Sequence, residues 1–144
     1  MKVVHNIALE AFLYPTEDLK RVRKALSMVL PEKARLKNEE VDSFYGPRIA
    51  KLTFRTDKAA DIKAMLQKMI TGLSKEDRET IVGTLDERMD ENGSLFLRFN
   101  KQKAYNGKLV LDYKGDPIKA VIKIASFPAN LNNMKYNAKI IFEG

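Results

Sequence analysis

The sequence predicts an α+β fold, a mostly antiparallel sheet with helices packed on one face. Three features point there. Alternating apolar strands open the chain and return after residue 94, amphipathic segments of helical period lie between them, and Gly/Pro/Asp turns reverse the chain between neighbouring strands. At 144 residues, 44% hydrophobic and 31% charged, the chain fits one domain, 1–144, that buries a core without disulfide staples. No internal repeat, low-complexity stretch or linker divides it.

The first strand covers residues 3–14, with Ile7, Leu9, Ala11 and Leu13 on one face and His5 opening that row. Pro15 ends it. Thr16 is the expected cap of a helix, with Glu17 and Asp18 in its first turn and Leu19, Val22, Leu26 and Val29 at helical spacing before Pro31. Lys20, Arg21, Arg23 and Lys24 occupy its other sides. Strands over 34–44 and 49–55 follow, joined around Tyr45-Gly46-Pro47; in the second, Leu52 and Phe54 alternate with Lys51, Thr53 and Arg55.

A helix over 58–70 carries Ile62, Leu66 and Met69 as its stripe. Ser74 then caps another, backed by Ile81, Val82 and Leu85 and ending near Met89. After the Asp90-Glu91-Asn92-Gly93 turn come strands over 95–99, 109–113 and 118–125, the last two joined by Gly115-Asp116-Pro117. Beyond Pro128 the pattern is mixed. Met134, Ala138 and Ile141 suit a helix, Ile140-Ile141-Phe142 a strand, and helix is the preferred reading.

With the apolar rows turned toward the helices, the opposite sheet face shows Lys51, Thr53, Arg55, Arg98, Lys119 and Lys123. Exposed faces also carry Lys and Thr for solubility and edge protection, so patterning weighs the two meanings equally. The net charge of +7 favours an anionic partner, and its distribution sharpens this. From Gly93 to Gly144 there are nine Lys/Arg against three Asp/Glu; before that, seventeen against sixteen.

The densest functional signal is the segment 95–107, a strand running into a basic turn. Arg98, Lys101, Lys103 and Lys108 supply charge, Asn100, Gln102 and Asn106 supply neutral donors and acceptors, Tyr105 supplies a ring, and Gly107 closes the turn. These are the groups that phosphate, sugar and unstacked bases require. A tyrosine folded over the sheet edge would read the same way.

Catalysis has no comparable foothold. With one histidine and no cysteine, His/Cys nucleophile pairs and thiolate zinc sites are excluded, and disulfides with them. The seven glycines are scattered rather than gathered into a phosphate loop. The run Asp86-Glu87-Arg88-Met89-Asp90-Glu91 reads as a solvated helix end before it reads as a magnesium site. His5, Asn6 and Glu10 interrupt any signal-peptide core, and no apolar run reaches the roughly 20 residues of a bilayer span, so the expected location is cytoplasmic with no membrane partner.

Taken in order, His5 in the first strand, Thr16-Glu17-Asp18, Tyr45-Gly46-Pro47-Arg48-Ile49, Arg88-Met89-Asp90 and Leu97-Arg98-Phe99-Asn100-Lys101-Gln102-Lys103-Ala104-Tyr105 resemble the archaeal RNA-binding family described as a predicted exosome subunit. The last block, ending at Gly107, is the specific one. The resemblance implies an α+β fold related to the large-subunit ribosomal protein that contacts 5S RNA, also compared with double-stranded-RNA-binding domains. It implies a cytoplasmic archaeal protein of RNA processing, partnered by RNA and by exosome or other processing proteins. It places Arg98, Lys101, Gln102 and Tyr105 on RNA. The tail, with Asn130, Asn132, Asn133 and Asn137, is less helical than that family pattern.

The expected function is therefore non-catalytic binding of structured or double-stranded RNA, without a cofactor. The expected contacts are Arg98, Lys101, Gln102, Lys103, Tyr105, Lys108, Lys51, Arg55, Lys119 and Lys123. The alternative is a protein–protein adaptor of an RNA-processing assembly, docking through an edge strand or the helix after Pro15. A homodimer through an edge strand is compatible with either.

Overall fold

In the computed structural model, which describes residues 3–41 and 49–143, five strands form one sheet in the order β2-β3-β1-β5-β4 with every neighbouring pair antiparallel. The strands are β1 (Val4–Leu13), β2 (Lys37–Val41), β3 (Ile49–Thr56), β4 (Ser94–Asn100) and β5 (Pro117–Ile124). The helices are α1 (Leu19–Leu26), α2 (Ala59–Gly72), α3 (Lys75–Gly83), α4 (Leu85–Arg88), α5 (Lys101–Tyr105) and α6 (Leu131–Glu143).

The period-two rows do what they predict. Ile7, Leu9 and Ala11 of β1, Leu52 of β3, Leu95, Leu97 and Phe99 of β4, and Ile118, Ala120, Ile122 and Ile124 of β5 are all buried. They meet Val22, Ala25 and Leu26 of α1, Ile62, Met65 and Met69 of α2, Ile81 of α3, and Ala138 and Phe142 of α6 in a single core. The helices lie on one face because β1, β3, β4 and β5 bring their continuous buried apolar rows to that face.

Several expectations are corrected locally. His5 does not open the buried row. Val4 pairs with Ile124 and Asn6 with Lys123, so two steps on β1 oppose one on β5, and the surplus residue, His5, is exposed in a bulge while Val4 is buried. The first helix is capped by Asp18, whose carboxylate accepts from the Lys20 amide at 2.9 Å, and not by Thr16. That helix ends at Leu26 and continues as tighter turns, which still bury Val29; Lys68 closes the end by donating to the Ser27 and Leu30 carbonyls. The helix expected to end near Met89 is split at Thr84, whose hydroxyl donates back to the Thr80 carbonyl and accepts from Arg88 Nε.

The strand expected over 109–113 is reduced to one bridge, Leu111 against Phe99, with flanking bonds from Asn100 to Val110 and from Asp112 to Arg98. The Leu111 amide goes to the Asp77 carboxylate of α3, which takes the place of a further strand. The tail is helical, α6, as preferred. Residues 42–48, including the expected Tyr45-Gly46-Pro47 turn, lie outside the described residues.

The turn before β4 is held by side chain and backbone together. Asp90 accepts from the amides of Asn92 and Ser94, both at 2.9 Å, and Gly93 sits at φ +82° with its carbonyl accepting from Ile124. A β-carbon on Gly93 would collide with the Met134 sulfur of α6, whereas Gly115, at φ +85°, faces open space. Gly93→Ala is therefore expected to destabilise the protein by about 2–3 kcal/mol and Gly115→Ala by only about 1 kcal/mol, the left-handed cost alone. Urea unfolding of the two variants checks this; equal losses would remove the packing against Met134 from the account.

Candidate nucleic-acid interface

The uncovered face of the sheet follows from the register. Across it run Lys37, Thr53, Glu10, Lys119 and Arg98 in one row, Arg55, Ala8, Val121 and Phe96 in the next, and Asn6, Lys123 and Ser94 beyond; Glu39, Lys51 and Phe12 form the row on the other side. Among the described residues the face carries six cations, Lys37, Lys51, Arg55, Arg98, Lys119 and Lys123, against two carboxylates, Glu10 and Glu39.

The cations are not equally engaged. Lys37 pairs with Glu39 at 2.6 Å, which raises the Lys37 ammonium and lowers the Glu39 carboxyl from their ordinary values. Lys51 lies 3.8 Å from Glu10, and Lys123 donates to the Asn92 carbonyl. Among the described residues Arg98 and Lys119 have no carboxylate within ion-pair distance, although they stand directly opposite each other on β4 and β5. Like charges in a cross-strand pair destabilise a sheet.

The basic segment beyond β4 is a helical turn. Asn100 caps α5 by accepting from the Lys103 amide, and Gly107, at φ +85°, reverses the chain after it. Gln102, Lys103 and Lys108 are exposed and Tyr105 is half-buried. Lys101 is the exception and a correction to the expected site. It is only 7% exposed, with its ammonium 2.9 Å from both the Phe12 carbonyl and Glu17 Oε1, ion-paired with Asp116, and 5.3 Å from the Tyr14 ring centroid. This cation faces the interior, where it joins the ends of β1, β4 and β5.

Tyr105 is also engaged. The Arg21 guanidinium lies 4.8 Å and the Lys24 ammonium 4.9 Å from its ring centroid, both from α1. Thr16, Glu17, Asp18, Arg21, Gln102 and Tyr105 line a cleft of about 430 Å³ between α1 and α5, with Val22, Ala25 and Lys101 as the rest of its lining. The two sequence blocks around residues 16–18 and 101–105 thus meet in space. Arg21 and Lys24 were not among the expected contacts. Their signal was the cationic side of the first helix, which sequence alone could not bring to Tyr105.

Among the described residues no group of His, Asp or Glu is arranged to hold a metal ion. Asp86 pairs with Lys135 at 2.6 Å and Asp90 holds the turn before β4, so the acidic run has structural partners. No described helix is long and apolar enough to cross a membrane.

A family model described as RNA binding matches residues 6–124, from β1 through β5. The chain belongs to the RNA-binding family. It is 33% identical over 129 residues to the RNA-binding protein PAB1135 of Pyrococcus abyssi, covering 86% of this chain and 84% of that protein. It superposes on Mth689, a DUF54 protein from Methanothermobacter thermautotrophicus, with a TM-score of 0.83 and 32% identity, covering 98% of this chain and 99% of that one. Protein AF2318 from Archaeglobus fulgidus, also of DUF54, gives a TM-score of 0.87 at 27% identity, covering 96% and 99%.

In this member of the RNA-binding family, the matched region contains all of the sheet except the first two residues of β1, and it includes the Lys101 tie. Truncating Lys101 would leave Glu17 and Asp116 facing each other near a buried carbonyl. Breaking a fully buried pair costs about 3–5 kcal/mol; because both carboxylates keep some contact with water, Lys101→Ala is expected to cost about 2–4 kcal/mol. Denaturant unfolding gives the number, and a loss no larger than that of Lys103→Ala would show that the ammonium is not holding the strand ends together.

Proposed function

We propose that the protein binds structured RNA without catalysing a reaction on it, through the open sheet face and the exposed side chains of α5. The observation that carries this is the pairing of Arg98 with Lys119. Two cations held opposite each other, neither within ion-pair distance of a carboxylate among the described residues although Glu10 neighbours Lys119 on β1, form a site that an anionic backbone would complete. Lys51, Arg55 and Lys123 extend the basic surface across the sheet, and Gln102, Lys103 and Lys108 extend it past the end of β4. Recognition rests on phosphate, 2′-hydroxyl and shape, since this surface offers cations rather than paired amides for base edges. Lys101 supports the site from within and makes no RNA contact in this reading. The family membership and the similarity to PAB1135, an RNA-binding protein, support the ligand class.

A place among exosome or other RNA-processing proteins is part of the proposal through the family resemblance. The adaptor alternative has one structural support: Tyr136 and Ile140, 64% and 51% exposed, lie one turn apart on α6. The two readings separate in solution.

Binding to an RNA duplex, a single strand and the matching DNA duplex is measured across a salt series, with Arg98→Glu/Lys119→Glu beside a Lys139→Glu control on α6. The double variant is expected to weaken RNA binding about tenfold or more and to flatten the salt slope by about 2, as for two lost phosphate contacts. An unchanged slope would remove the sheet face from the site, and equal weak binding to all three ligands would favour the adaptor.

A further inference from the structure

We infer that Phe96 is a stacking platform for one unpaired base of the bound RNA, so that the preferred ligand carries a single-stranded nucleotide beside its structured part. This rests on the RNA-binding reading above and adds a chemical feature to it. Phe96 lies on the open face of β4 and is 45% exposed, although its neighbours in the strand, Leu95 and Leu97, are almost wholly buried. Its position in the sheet is fixed by the pair Phe96–Val121, and Ala8 follows Val121 in the same row. The ring therefore has an apolar floor beside it on β5 and β1 and a small residue beyond, leaving room for a flat group.

The rim of this floor is cationic. Arg98 is two residues along the same strand, and Lys119 and Lys123 occupy the diagonal positions on β5, about 7–8 Å away in an antiparallel pair. A phenyl ring bordered by three cations matches a nucleotide in both of its parts: a π-face for the base and positive charge for the phosphates on either side of it. An apolar protein surface would satisfy the ring but leave the three cations facing apolar atoms. Among the described residues no ion pair restrains Arg98 or Lys119, whereas Lys123 donates to the Asn92 carbonyl.

Tyr105, the ring of the basic segment, fits this role less well. Arg21 and Lys24 already lie against it, and a base would have to displace or share them. The interior of a duplex offers Phe96 nothing to stack on, because paired bases are stacked on one another. Along the side of a helix, a ring on this face serves a base that has left the stack, at an overhang, bulge or loop.

The test uses two RNAs, a blunt duplex and the same duplex with a single-stranded 3′ extension that contains 2-aminopurine. Wild type, Phe96→Ala, Phe96→Tyr and Arg98→Glu/Lys119→Glu are titrated with each. Wild type is expected to bind the extended RNA more tightly than the blunt duplex and to quench the 2-aminopurine. Phe96→Ala should lose roughly 5- to 150-fold in affinity for the extended RNA, the range of one stacked base, while retaining its blunt-duplex affinity. Phe96→Tyr should restore both the affinity and the quenching. If Phe96→Ala weakens both RNAs equally, or neither, the stacking role is overturned while the sheet-face reading stands on the double variant. If wild type binds neither RNA, the sheet-face reading falls and takes this one with it. Because Phe96 is surface-exposed, matching thermal melts of the Ala variant and wild type separate binding from folding.

Discussion

A lysine ammonium removed from water must be compensated by the protein, and Lys101 obtains that compensation from widely separated parts of the chain. The Phe12 carbonyl belongs to the end of β1, Glu17 to the turn into α1, and Asp116 to the turn into β5, while Lys101 itself begins α5 directly after β4. Glu17 is held in turn, since its Oε1 also accepts from the Tyr14 amide and its own amide donates to the Tyr14 carbonyl. One cation thus fixes the relative positions of three strand ends and two helices. The α1–α5 cleft and the course of α5 past the edge of the sheet both depend on it. Such a tie is stringent because each carboxylate left alone would face a poorly solvated site.

The same end of the sheet divides the basic residues into two kinds. Lys101 points inward and contributes to the fold; Lys103 and Lys108 on the same segment stay in solvent, and Arg21 and Lys24 lie against Tyr105. On the sheet proper, the helices cover one face and leave the other to Arg55, Arg98, Lys119 and Lys123. The pairing of Arg98 with Lys119 is a local conflict with sheet stability, and conflicts of that kind occur where a ligand is expected to resolve them. Glu10, beside Lys119 and within 3.8 Å of Lys51, moderates the field without cancelling it.

Much of this was legible from residue order. The period-two rows located β1, β3, β4 and β5, and Ile62 and Met69 of α2 and the Ser74 cap of α3 read correctly because both are local signals, although Met65 rather than Leu66 completes the buried stripe of α2. The set Lys51, Arg55, Arg98, Lys119 and Lys123 falls on one face as alternation requires. The errors share a cause. Thr16 and Asp18 are both good caps, and only the path of the turn held by Glu17 decides between them. Residues 109–113 alternate like a strand, yet Asp77 of α3 intercepts the Leu111 amide. His5 sits in register with the apolar row until a bulge shifts it out.

The sequence by itself determined the α+β class, the sign and placement of the charge, the apolar and basic faces of each strand, and the absence of cysteine chemistry, because these follow from composition and from periods of two and 3.6 residues. Only the tertiary structure decided which cation is buried, which aromatic ring is open, and which like charges stand opposite. Lys101 meets partners 84 and 89 residues away, Tyr105 meets a helix from the far end of the chain, and Arg98 meets Lys119 through strand register. None of those distances is encoded in local spacing; the first two are set by how the β1–α1 and β4–α5–β5 units meet through the β1–β5 pairing and the α1–α5 contact, and the third by the β4–β5 register.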